Sequence, residues 1–81
     1  MSSAQISVYG VGEGNLNAAV DAALAALVAS GLPHSIGPMS TVVDSDDDGA
    51  LFAALAAAYR AALACGPVVM HITVSNACPV G

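Results

Sequence analysis

The sequence almost lacks basic side chains. Among its 81 residues Arg60 is the single lysine or arginine, against six acidic residues, and the formal net charge is -5. Binding to nucleic acid depends on several lysine or arginine contacts to phosphates. One arginine cannot supply them, so we expect no DNA or RNA partner. The acidic balance favours a cationic small ligand over an anionic one.

Aromatic residues and long hydrophobic runs are also scarce. The chain has no tryptophan, two tyrosines and one phenylalanine, and its 57% hydrophobic content reflects eighteen alanines. Alanine buries little area, so association with further copies would add useful buried surface, and we expect a homodimer or tetramer. Asp21 and Arg60 interrupt the two alanine-rich stretches. Neither stretch reaches the roughly 20 apolar residues of a membrane span, so we expect no membrane partner.

Cysteine is limited to Cys65 and Cys78. An extended strand between them spans about 30 Å, much more than a disulfide bridges. Together with His34 and His71 they match no zinc-binding spacing, so we expect two reduced thiols and no metal or cofactor. The sequence starts without a basic segment followed by an apolar one, and we expect a cytoplasmic protein.

Hydrophobic periodicity and turn residues predict six elements in the order β-α-β-β-α-β. Strands are expected at 4–9, 34–37, 40–44 and 68–75, and helices at 16–29 and 49–64. This order predicts a single α+β domain over residues 1–81 with a ferredoxin-like fold. Both helices should cover one face of a four-stranded antiparallel sheet, with the first and third strands in the middle.

The helices are expected to contribute one apolar stripe each to the core. The stripe of the first helix comprises Leu16, Val20, Leu24, Leu27 and Val28, and that of the second comprises Leu51, Phe52, Leu55, Tyr59, Ala62 and Leu63. Asn15 is the expected N-cap of the first helix. Residues 45–48 are expected to form a solvated acidic loop that caps the second.

The last strand has two different faces. Val68, Met70, Ile72 and Val74 alternate with Val69, His71, Thr73 and Ser75. We expect the first set in the core and the second on the open face of the sheet, beside Ser7 and Tyr9 of the first strand. The third strand adds either Ser40 and Val42 or Thr41 and Val43. Polar groups on this face need water, a partner subunit or a ligand.

Three segments carry a family resemblance: QISVYGVG, SGLPHSIGPMSTVVDSD and GPVVMHITVSNACPVG. In this order they resemble the YkoF-type family of thiamine and hydroxymethylpyrimidine binding proteins. The resemblance implies a ferredoxin-like domain that binds thiamine, or its hydroxymethylpyrimidine moiety, without changing it chemically, in transport or salvage of the vitamin. The family pairs two such domains in tandem, so a homodimer of this chain would rebuild that arrangement. Residues 10–14 are glycine-rich where the family has a proline.

A site for thiamine needs an aromatic or thioether wall, polar contacts for the aminopyrimidine and a carboxylate near the positive charge. The expected ligand-binding residues are Tyr9 for stacking, Met39 as a wall, Ser40 and Thr41 as hydroxyl contacts, Asp44 as counter-charge, and His71, Ser75 and Asn76 as polar contacts from the last strand.

Each of these residues also has a structural interpretation. Tyr9 and His71 suit a subunit interface, Met39 suits packing, Ser40 and Thr41 suit a turn, and Asp44 suits a solvated loop. The alternative function is accordingly an interaction module whose open sheet face is buried against another copy.

Catalysis is not expected. His71 has no nucleophile at a recognisable spacing, and Cys78 lacks the helix start or basic neighbour that would hold a thiolate. The sequence therefore predicts a binding protein rather than an enzyme.

Overall fold

The computed structural model describes residues 1–10, 16–37 and 40–77. Its elements are β1 (Ser2–Gly10), α1 (Leu16–Ala29), β2 (His34–Ile36), β3 (Thr41–Ser45), α2 (Asp48–Leu63) and β4 (Val68–Ser75). The predicted cap Asn15, the turn residues Pro38 and Met39, and Cys78 lie outside the described residues.

The four strands form one sheet in the order β2-β3-β1-β4, with every neighbouring pair antiparallel. The predicted α+β, ferredoxin-like fold with β1 and β3 in the middle is confirmed. Boundaries differ from the prediction by one or two residues: β1 begins at Ser2, β3 is shifted by one residue to Thr41–Ser45, and α2 begins at Asp48.

The core lies between the sheet and the two helices. In β1 the buried side chains Ala4 and Ile6 alternate with residues that face away from the helices, as the period of two requires. The buried apolar residues are Ala4, Ile6, Ala19, Ala23, Leu27, Val43, Leu51, Ala54, Leu55, Ala58 and Ala62. Six of these eleven are alanines, so the layers pack closely and each position contributes a small buried area.

The start of α2 is fixed by local hydrogen bonds. Asp47 is the N-cap, and its Oδ1 accepts hydrogen bonds from the backbone N–H groups of Gly49 (2.8 Å) and Ala50 (3.4 Å). The Oδ1 of Asp48 accepts one from Ser2 Oγ (2.5 Å). The predicted acidic loop 45–48 is corrected at both ends, because Ser45 is a buried residue of β3 and Asp48 already belongs to the helix.

We expect Asp47→Ala to lower the free energy of unfolding by about 1 kcal/mol, because two backbone N–H groups lose their acceptor. Urea denaturation followed by circular dichroism measures this difference. Asp46→Ala is the matched control, since Asp46 is an exposed aspartate one residue earlier. Equal losses in the two variants would contradict the assigned cap.

The predicted helix stripes are wrong in one respect. Phe52, Tyr59 and Leu63 of α2 are exposed, and so is Val28 of α1. The buried large side chains of α2 are Leu51 and Leu55. At 3.6 residues per turn, the three exposed residues lie about 80–120° from Leu51 around the helix axis. The hydrophobic periodicity of α2 identified the buried face correctly, but the predicted face was wider than the observed one.

The expected core face of β4 is also only partly covered. Ile72 pairs with Ile6, and Val74 pairs with Ala4, so both face the helix side of the sheet. They nevertheless remain 38% and 41% exposed. Since β4 is an edge strand with β1 as its neighbour, the two-helix layer does not extend far enough to bury it.

Candidate functional site

A cavity of about 170 Å³ lies between α1 and one end of the sheet. Pairing of β1 with β3 stops at Ile6 and Thr41, whereas β1 continues to Gly10 beside β4. Beyond Ile6, β1 therefore has β4 but no longer β3 as a paired neighbour, and this leaves an open space next to the β2–β3 turn. Its wall is formed by Ile6, Ser7, Val8, Val20, Ala23, Leu24, Leu27, Ile36, Gly37, Ser40 and Thr41.

Most of the described residues of the cavity wall are apolar, and those that bear a hydroxyl are Ser7, Ser40 and Thr41. Of these, Thr41 faces the helix side of the sheet, as the cavity does. The Oγ of Ser40 accepts a hydrogen bond from Gln5 Nε2 at 3.1 Å, which fixes the position of that hydroxyl. A mainly apolar pocket with a few oriented polar groups is typical of a small-molecule site.

The turn beside the cavity depends on Gly37. Its backbone N–H donates to the carbonyl oxygen of Ser40 at 2.8 Å, which closes the turn between β2 and β3. A Cβ at position 37 would lie only 3.0 Å from that same oxygen. Glycine thus allows the two chain segments to approach closely enough to shape the wall.

The parity of β3, which the sequence left open, is now determined. Thr41 and Val43 face the helices, because they pair with the buried Ile6 and Ala4. Val42 and Asp44 consequently face the open side. The predicted residues Ser40 and Thr41 both line the cavity although they belong to alternate faces, because the cavity lies at the end of the sheet.

Two further predicted residues, Tyr9 and His71, lie on the open face near the same end of the sheet. Tyr9 pairs with Val69, and His71 pairs with Ser7 of the cavity wall. Tyr9 is 54% exposed, so its ring is accessible from solvent. The open-face assignment of Ser7, Tyr9, His71 and Ser75 agrees with the observed register.

Asp44, Ser75 and Asn76 lie at the opposite end of the sheet. Asp44 is four residues from Ser40 along β3, a distance of about 13 Å in an extended strand. Its Oδ1 accepts a hydrogen bond from Ser3 Oγ at 2.5 Å, and Ser3 pairs with Ser75. The fold therefore divides the predicted ligand-binding residues into two groups, and Met39 lies outside the described residues.

The sequence interpretation placed Met39, Ser40 and Thr41 of the β2–β3 turn at the site, but it missed the contribution of α1 and of Ile36 and Gly37. Val20, Leu24 and Leu27 were assigned to the helix core stripe, and Ile36 and Gly37 to a strand end. The available signal was the alternation of these residues with alanines such as Ala23, which leave space beneath the helix. Sequence periodicity reports which side a residue faces, and it does not report whether the opposite layer fills the space.

The described residues contain neither a metal site nor a membrane span. No group of three or more histidine, cysteine or acidic side chains in 1–10, 16–37 and 40–77 is arranged to hold a metal ion. Over the same ranges, no helix combines the length and apolar character that crossing a bilayer requires.

Comparison with protein families gives one match that covers most of the chain. Residues 4–76 match the family described as thiamine-binding protein. The matched range includes both groups of predicted site residues. Among curated proteins, none matches the chain significantly.

Solved structures show the same fold at low sequence identity. A protein of Bacillus cereus described as a domain of unknown function superimposes with a TM-score of 0.80 at 20% identity, covering 99% of this chain and 81% of that one. A protein of Thermotoga maritima described as a "putative thiamine biosynthesis/salvage protein" gives 0.76 at 19% identity, covering 90% of this chain and 80% of that one. A hypothetical protein of Methanocaldococcus gives 0.81 at 21%, covering 93% and 78%.

Proposed function

Because the chain belongs to the family of thiamine-binding proteins, we propose that it binds thiamine or its hydroxymethylpyrimidine moiety without changing it chemically, in transport or salvage of the vitamin. The observation that carries the proposal is the cavity between α1 and the β2–β3 turn. Gly37, Ser40 and Thr41 of its wall belong to one of the segments through which the sequence resembles such proteins.

The size of the cavity suits one aromatic ring. A cavity of about 150 Å³ inside a protein holds benzene, and this one measures about 170 Å³. One substituted six-membered ring fits, and the two ring systems of thiamine together do not. The aminopyrimidine ring therefore enters, and the thiazolium ring stays outside.

The chemistry of the protein around the cavity suits an aminopyrimidine ring inside and a thiazolium ring outside. Thr41 faces the helix side of the sheet, as the cavity does, and its hydroxyl can donate to a ring nitrogen of the pyrimidine or accept from its amino group. The thiazolium ring is cationic, and the chain has a net charge of -5, which attracts cations. Tyr9, exposed on the strand that carries Ser7, offers a face for cation–π contact.

The composition of the wall supports binding without catalysis. Of the residues that are described around the cavity, none is acidic, basic or a thiol. General acid–base or nucleophilic chemistry needs such a group within hydrogen-bond reach of the substrate. His71 faces the open side of the sheet, where it is free to contribute to recognition outside the cavity.

We expect isothermal titration calorimetry to give similar affinities, within about tenfold, for thiamine and hydroxymethylpyrimidine, because the shared ring supplies most of the contacts. Thiamine diphosphate should bind more weakly, since its phosphates meet an acidic protein. Mass spectrometry after incubation should recover unchanged thiamine.

The isolated thiazole, hydroxyethyl-methylthiazole, is the control ligand and should produce no heat. Absence of heat with both thiamine and hydroxymethylpyrimidine would remove the proposed function. Binding of the thiazole alone as tightly as thiamine would contradict the placement of the rings.

A further inference from the structure

One hydrogen bond joins the central strand β1 to the β2–β3 turn that forms part of the cavity wall. Gln5 Nε2 of β1 donates to Ser40 Oγ at 3.1 Å. We propose that Gln5 is a positioning residue for the ligand. Through Ser40 it holds the turn in place, and with the turn the hydroxyl of Thr41 that faces the cavity. The inference rests on the proposed function and extends it to a side chain that lies behind the cavity.

The position of Gln5 in the sheet explains how it reaches the turn. It pairs with Val42 of β3 on one side and with Thr73 of β4 on the other. Since it alternates with the buried residues of β1, its side chain lies on the open face of the sheet. A long side chain also reaches the diagonal neighbour, two residues along the adjacent strand. Ser40, two residues before Val42, is that neighbour.

The hydrogen bond lies just beyond the end of the backbone pairing between two strands. Pairing of β1 with β3 stops at Ile6 and Thr41, so the backbone ladder between these strands does not extend to Ser40. The side chain of Gln5 makes this connection instead, on the open face. It therefore keeps the start of β3 close to β1 at the end of the sheet where the cavity lies.

Ser40 transmits this restraint to two parts of the cavity wall. Its carbonyl oxygen accepts a hydrogen bond from the Gly37 backbone N–H at 2.8 Å, which closes the turn. The next residue, Thr41, is 5% exposed and faces the helix side of the sheet. Because successive residues of a strand point to opposite faces, Ser40 is held on the open face while Thr41 presents its hydroxyl to the cavity. A displacement of Ser40 consequently moves Gly37 and Thr41 together.

The size of the expected effect follows from two limits. A hydrogen bond between neutral groups contributes at most about tenfold to an equilibrium constant. A displacement of about 1 Å at a functional site costs up to about 100-fold. Because Gln5 acts through Ser40 and the half-buried turn can relax only in part, we expect an effect near the lower of these limits.

Replacement of Gln5 by methionine tests this role. Methionine is unbranched and of similar length, but it cannot donate a hydrogen bond to Ser40. Gln5→Met should weaken binding of hydroxymethylpyrimidine about tenfold in calorimetry, while the melting temperature of the unliganded protein falls by less than about 8 °C. Thr73→Val removes a hydroxyl from the neighbouring position of the open face and is the matched control, with an affinity within about twofold of wild type. Wild-type affinity in Gln5→Met would overturn the proposal.

A double-mutant cycle separates positioning through Ser40 from an independent contribution of Gln5. Ser40→Ala removes the same hydrogen bond from its other end and should weaken binding by a similar factor. If Gln5 acts through Ser40, the double variant should bind within about threefold of either single variant. Losses that multiply to about 100-fold would show that the two side chains act independently and would refute the proposal.

Hydrogen exchange without ligand measures the turn itself. The Gly37 amide should lose about threefold or more of its protection in Gln5→Met and in Ser40→Ala. The Asp44 amide, which donates to the carbonyl oxygen of Pro33 at 2.9 Å at the other end of the same strand pair, should not change. Unchanged protection of Gly37 would overturn the proposal even if affinity fell. Ser40→Ala gives the same information if Gln5→Met does not fold.

Failure of the proposed function has a different signature. A wild-type protein that gives no heat with thiamine or hydroxymethylpyrimidine would remove that function, whatever the Gly37 amide does. A wild-type protein that binds, with Gln5→Met unchanged in affinity or in Gly37 protection, would remove only the role of Gln5.

Discussion

Replacement of Val20 by phenylalanine is expected to weaken binding of thiamine and hydroxymethylpyrimidine by at least about 100-fold while the protein stays folded. Val20 lies on α1 in the wall of the cavity. The added phenyl ring is itself of the size that a cavity of about 150 Å³ accommodates, so it occupies the space of the pyrimidine. Calorimetry measures the loss of affinity.

Thermal unfolding separates this effect from damage to the fold. A ligand at 100 times its dissociation constant stabilises the folded state by about 2.7 kcal/mol, so the wild-type midpoint should rise on addition of hydroxymethylpyrimidine. The Val20→Phe variant should melt no earlier than the unliganded wild type and should show no such rise. Val28→Phe, an exposed position on the same helix, is the control and should bind normally. Unchanged affinity in Val20→Phe would show that the ligand occupies another site.

The second large effect concerns stability. Leu51→Ala should lower the free energy of unfolding by about 3 kcal/mol, because Leu51 is fully buried between α2 and the sheet and truncation leaves a void. A domain of this size has roughly 5–15 kcal/mol in total. The expected fall in melting temperature is therefore about 12–24 °C, which differential scanning calorimetry resolves easily.

Leu63→Ala provides the same chemical change on the same helix at an exposed position. Measured at a protein concentration where the monomer prevails, it should cost less than about 1 kcal/mol. Periodicity alone assigned Leu51 and Leu63 to one stripe, and this pair measures the difference between them. A similar loss in both variants would contradict the observed width of the buried face.

Local patterns were sufficient to predict the topology. The alternation in β4, the helix-ending Gly31 and the aspartates before α2 each specify one element, and the order of six elements leaves few arrangements of the sheet. The exact bounds of α1 and β4 followed from the same signals. The extent of burial did not, because Phe52, Tyr59 and Ile72 depend on how far one layer overlaps another.

The candidate site was predicted in part. Ser40 and Thr41 were identified from the segment shared with thiamine-binding proteins, and both line the cavity. The expectation that the open sheet face forms the site together with Asp44 and Ser75 stays a prediction. Asp44 lies about 13 Å from Ser40 along the strand direction, and Ser75 lies at the same end of the sheet as Asp44. The cavity exists because β1 continues past the end of its pairing with β3. This depends on the register between two strands, which cannot be read from either segment alone.

Ala23 sets part of the volume of the cavity beneath α1. It is buried in the wall of the cavity, directly beneath the helix backbone. Lengthening this one side chain by a methyl group or two would shrink the chamber without moving any strand, and removing it would enlarge the chamber. Because the side chain of Ala23 is a single methyl group, single-codon changes at this position alter the volume of the cavity while the sheet that supports it stays the same.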